Sequence, residues 1–117
     1  MKSKLVLIAG CTNHLNDLVD ETEKRGLHAV IIDDDEGEED RINEEIKRKN
    51  PKYVLGVFCK VLSETLGKEL KERGIKYIAV KNYLAGDDQS CYRKNKKWRD
   101  VHMPDYIAAL DNLASQR

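Results

Sequence analysis

The chain has 117 residues, three of them cysteines, and its 21 basic side chains are balanced by 21 acidic ones. That length accommodates one domain, residues 1–117, with a modest core, and a net charge of zero supplies no field to recruit nucleic acid or an anionic membrane. No apolar run is long enough to cross a bilayer and no signal-peptide pattern is present, so a cytoplasmic protein with some protein partner, and no membrane or nucleic acid, is expected.

Taken in order, "KLVLIAG" (4–10) is a short, nearly continuous aliphatic run, as expected of a strand covered on both faces. Leu15, Leu18, Val19 and Thr22 then form one helical stripe, and Gly26 is a natural stop after "EKR". "LHAVIID" (27–33) is a second strand, followed by the densely acidic "DDDEGEEDRINEE" (33–45), which reads as a solvated face and helix start. Ile42 and Ile46 mark that second helix, and Asn50–Pro51 ends it. "KYVLGVF" (52–58) is a third strand, Leu62, Leu66 and Leu70 mark a third helix ended by Gly74, and "IKYIAVK" (75–81) is a fourth strand. A long connection with a basic cluster, residues 82–103, leads to a C-terminal helix over 104–115, with Pro104 in its first turn and Ile107, Leu110 and Ala114 facing inward.

Strict alternation of strands and helices with short links predicts an α/β fold. The expected form is a flavodoxin-like three-layer sandwich whose four-stranded parallel sheet has the order 2-1-3-4. In such a sheet ligands bind beyond the carboxyl ends of the strands. Cys11 follows the first strand, Cys59 follows the third, and Cys91 lies in the connection after the fourth. The first and third strands are neighbours in this order, about 4.8 Å apart, so Cys11 and Cys59 can approach each other and Cys91 is on a tether able to join them. His14 completes a C-x-x-H pair with Cys11 in "CTNH". Cys11, His14, Cys59 and Cys91 are therefore the candidate ligands of a metal, because thiolates and imidazole are the soft and borderline donors that zinc or an iron–sulfur cluster requires. Against this stands simple packing, since free cysteine is among the most buried residue types.

Other motifs carry other chemistry. Cys11 alone, near a helix start, could be a phosphocysteine nucleophile, because helix dipole and free N–H groups stabilise a thiolate and cradle a phosphate. That layout resembles the IIB component of cellobiose-type sugar phosphotransferase systems, although Asn13, His14 and Leu15 stand where a small phosphate loop is needed. The acidic run lacks the spacing of a helix–loop–helix calcium site. "CYRKNKKW" (91–98) mixes cations with Tyr92 and Trp98, as single-stranded RNA binders do, but a solvated loop is the commoner origin of such a mixture. A plain interaction module with no site is the third class.

"NPKYVLGVFC" (50–59), "RGIKYIAV" (73–80), "DDQSC" (87–91) and Trp98, together with "CTNH", resemble the domain-of-unknown-function family 116 over roughly residues 9–101. The resemblance implies a cysteine-rich zinc or iron–sulfur domain with Cys11, His14, Cys59 and Cys91 as ligands. His14 stands where that family has a second cysteine, Phe58 replaces the usual alanine before Cys59, and no glycine immediately precedes Cys91.

Overall fold

The computed structural model describes residues 4–32, 38–83 and 100–116. Five strands and four helices follow one another as β1 (Lys4–Ala9), α1 (Leu15–Lys24), β2 (Ala29–Ile32), α2 (Glu38–Lys49), β3 (Tyr53–Phe58), α3 (Lys60–Glu72), β4 (Lys76–Tyr83), β5 (Asp100–Val101) and α4 (Met103–Ser115). The sheet order is β2-β1-β3-β4-β5. The first four strands pair in parallel, with Val6 beside Ala29, Ile8 beside Val57, and Phe58 beside Lys81.

The expected sheet needs correction at one end. It is not four-stranded and all-parallel: β5 adds a fifth, antiparallel strand, pairing Val101 with Asn82 and Asp100 with Tyr83. Two residues of ladder carry too little periodicity to stand out from a sequence, and the connection expected over 82–103 hides both this strand and the end of β4. The described parts of that stretch shorten it to the interval between Tyr83 and Asp100.

Alternation along the parallel strands splits the core in two. Leu5, Leu7, Ala9 and Cys11 of the β1 segment, with Val54 and Phe58, pack against Ile42 and Ile46 of α2 and Leu66 and Leu70 of α3. Val6, Ile8, Leu55, Val57 and Val80 point the other way and meet Leu18 of α1 and Tyr106, Leu110 and Leu113 of α4. The inward stripe of α4 is thus Tyr106, Leu110 and Leu113, while Ile107 is half-buried and Ala114 exposed. The sequence places Leu110 correctly but rotates its neighbours, because a stripe built on Ile107 ignores that Tyr106 has a partner for its hydroxyl. That partner is Thr22 of α1. The Thr22 hydroxyl donates to the Leu18 carbonyl oxygen at 2.7 Å, so it accepts from the Tyr106 phenol. Burial pushes the Tyr106 phenol above the ordinary tyrosine range. Arg25 adds a second bond between the same helices, donating from Nε to Asp111 at 2.7 Å.

The helix ends follow local chemistry. Gly26 and Gly74, just after α1 and α3, have φ of 73° and 74°, where a side chain would be strained. Asn50 takes a φ of 47° at the end of α2, ahead of Pro51. No helix of the described residues is long and apolar enough to cross a membrane.

Candidate functional site

At the carboxyl edge β4 runs past β3, and this shapes the site. β3 stops at Phe58, in register with Lys81, whereas β4 runs on to Tyr83 and the β1 segment turns back only at Gly10–Thr12. Asn82 and Thr12 meet across the end of β3: the Asn82 amide donates to the Thr12 hydroxyl at 2.9 Å, and both side chains are buried. The same amide lies 3.8 Å from Cys11 Sγ, a weak contact that gives the sulfur a polar neighbour in an otherwise aliphatic cluster. Beside them the Asn13 amide donates to Asp100 at 2.8 Å, tying the loop after β1 to β5. These polar groups fasten the loop after β1 to the far side of the sheet.

Cys59 begins where β3 ends. It is the N-cap of α3, with extended φ and ψ of −65° and 163°, and its side chain makes no capping hydrogen bond. Its carbonyl oxygen accepts from the Ser63 N–H at 2.9 Å. Close by, the Tyr77 and Ser63 hydroxyls share a hydrogen bond of 2.8 Å. The Tyr77 ring occupies a slot between two glycines. A Cβ on Gly56 would lie 2.6 Å from the Tyr77 hydroxyl, and one on Gly67 would lie 3.4 Å from the ring. Burial pushes the Tyr77 phenol up to about 12; the Ser63 hydrogen bond opposes that, and a thiolate at Cys59 would add to it. The sign of the linkage follows: the folded protein holds the proton more tightly than the unfolded chain. Tyr77 therefore contributes stability that is intact below about pH 10 and is lost as pH rises towards about 12. Denaturant unfolding at rising alkaline pH should show this loss, and Tyr77→Phe should remove it. A slope unchanged by Tyr77→Phe would contradict the buried phenol.

The two described thiols both lie at the carboxyl edge, after the adjacent strands β1 and β3. Cys11, 7% exposed, belongs to the cluster beneath α2 and α3, Tyr77 packs against that same cluster, and Cys59 neighbours Tyr77 electrostatically. Cys59 is half-buried and both are free thiols. His14 goes elsewhere. It sits in the left-handed region, φ 62° and ψ 36°, as N-cap of α1, the helix on the opposite face. Its ring is 67% exposed and its Nδ1 is 3.9 Å from Asp17. The C-x-x-H pair is therefore split: Cys11 faces the core and His14 faces solvent. Cys91, Tyr92 and Trp98 lie outside the described residues, as do Asp33, Asp34 and Asp35. Among the described residues, no three His, Cys, Asp or Glu side chains gather closely enough to hold a metal ion.

Sequence reasoning missed the polar half of this edge. Thr12 and Asn82 are 70 residues apart, one in the turn after β1 and the other in β4, with β3 between those strands, so no local pattern joins them. Gly56 was the one available signal, since glycine inside a strand marks a close approach, here of the Tyr77 ring. Compared with models of protein families, with curated proteins and with solved structures, the chain shows no significant match to any of them.

Proposed function

We propose that the carboxyl edge at the β1/β3 boundary is a thiol site for a soft metal ion, zinc or an iron–sulfur centre. Cys11 and Cys59 are its donors among the described residues. The observation that carries this reading is their placement: they follow adjacent parallel strands at the carboxyl edge, where the strand order reverses direction. Open α/β sheets bind ligands at that crossover. Cys91 is the candidate third donor, because Tyr83 and Asp100, which flank its connection, are paired with each other at the same edge. His14 does not fit the set as placed, being exposed and beside Asp17 on the far side. A phosphocysteine role for Cys11 would require a reachable nucleophile, and at 7% exposure in an aliphatic cluster the thiol is shielded.

The test is metal analysis of protein purified without chelator or affinity tag, followed by Zn²⁺ titration of the apoprotein. Cys11→Ser and Cys59→Ser should each abolish stoichiometric metal and the rise in melting temperature that metal brings, since binding to the folded state alone stabilises it. His14→Ala should retain both. A metal-free wild type that Zn²⁺ does not stabilise, or a Cys59→Ser variant that still binds at full stoichiometry, would overturn the reading.

A further inference from the structure

The far edge of the sheet carries a second kind of surface. β3 occupies one side of β4 from Lys76 to Lys81, and β5 meets β4 only at Asn82 and Tyr83. Among the described residues, nothing pairs with the other side of β4 over the six residues Lys76–Lys81, a length of about 20 Å. The direction of its backbone groups is fixed. The Lys76 N–H donates to the Lys52 carbonyl, towards β3. Alternation then turns the N–H and C=O of Tyr77, Ala79 and Lys81 outward. Ala79 is exposed at the middle of this edge, so no large side chain screens it.

An exposed edge strand is a template for another strand, and proteins commonly guard it with charge. Here the guard has one sign. Lys76 and Lys81 stand at the two ends of the edge, both exposed, and Lys71 of α3 overhangs the groove beside it. None of the three lysines has an ion-pair partner among the described residues. The groove is lined by Tyr53, Gly67, Ile75, Ile78 and Asn112 as well as Lys71, which gives an incoming side chain an apolar floor under a basic rim.

We propose that this edge of β4 docks an extended acidic segment of a partner protein by strand addition. The backbone ladder supplies affinity, and the lysines select for Glu or Asp. A second copy of this chain is the poorer occupant. Its own edge, KYIAVK over residues 76–81, carries a lysine at each end and no acidic side chain, so self-pairing would bring these lysines no opposite charge.

Fluorescence anisotropy with a labelled peptide alternating Glu and Val tests this, with a Lys/Val peptide of equal length as control. The Glu/Val peptide should bind, more weakly as salt rises, and the Lys/Val peptide should not. Ala79→Pro removes an outward N–H without touching the β3 ladder, and should weaken binding by at least about tenfold. The triple variant Lys71→Glu, Lys76→Glu, Lys81→Glu should do the same and should admit the Lys/Val peptide; it decides the matter if the proline variant fails to fold. Equal binding of both peptides, undiminished binding by the triple variant, tighter binding of a single-stranded oligonucleotide, or an Ala79-dependent dimer in sedimentation that excludes the peptide would each overturn the proposal. None of these measurements involves the thiols, so the outcome is independent of the metal site.

Discussion

Tyr106→Ala should lower the free energy of unfolding by about 3–5 kcal/mol, the range for deleting a large buried aromatic side chain. Tyr106 is fully buried, and its ring fills the layer between the sheet and α1. Its hydroxyl donates to Thr22, so ring and hydroxyl contribute separately. Tyr106→Phe keeps the ring and should cost only about 0.5–1.5 kcal/mol, because Thr22 still has the Leu18 carbonyl. Thr22→Val should cost more than Tyr106→Phe, about 1–3 kcal/mol, since it strands a buried phenol O–H without an acceptor. Urea unfolding of the three variants orders them. If Tyr106→Phe proved costlier than Thr22→Val, the assignment of donor and acceptor would be reversed.

Gly56→Ala should cost about 1–3 kcal/mol by overpacking. The added methyl would sit 2.6 Å from the Tyr77 hydroxyl, 2.8 Å from Tyr77 Cε1 and 2.9 Å from Phe58 Cε2. Phe58 is fully buried and the sheet backbone is held on both sides by β1 and β4, so the Tyr77 ring is the part that must move. Its movement would break the Ser63 hydrogen bond and disturb the surroundings of Cys59. In a Tyr77→Leu background the same Gly56→Ala change should be milder, with a coupling between the two sites of about 0.5–3 kcal/mol. Additive costs would show that Tyr77 is not what limits space at Gly56.

The apolar runs that make β1 to β4 are visible in the sequence because burial on both faces writes them as unbroken aliphatic segments, and Gly26, Pro51 and Gly74 punctuate the helices between them. Their order across the sheet is legible too, through the handedness and shortness of the links. β5 is not legible, since two residues state no period, and neither is the inward face of α4, where a tyrosine anchored by its hydroxyl displaces the aliphatic stripe. At the candidate site, strand order suffices to bring Cys11 and Cys59 to one edge. It does not suffice for His14. Three residues of loop carry the chain from one face of the sheet to the other, and a C-x-x-H spacing says nothing about which side each member takes.

The position of α4 in the chain dictates when the protein can finish folding. Tyr106, Leu110 and Leu113 close the face of the sheet that Val6, Ile8, Leu55 and Val57 leave open. Lys4 at the start of β1 donates to the Ala114 carbonyl, across a separation of 110 residues. Until residues 103–115 emerge from the ribosome, α1 alone covers this face, and the aliphatic surface that α4 will cover stays exposed. At about 5–20 residues per second of synthesis, that surface stays uncovered for seconds, long compared with the time in which hydrophobic chains collapse. A chain cut short before residue 103 would lack this cover and should yield a sticky product rather than a smaller stable domain.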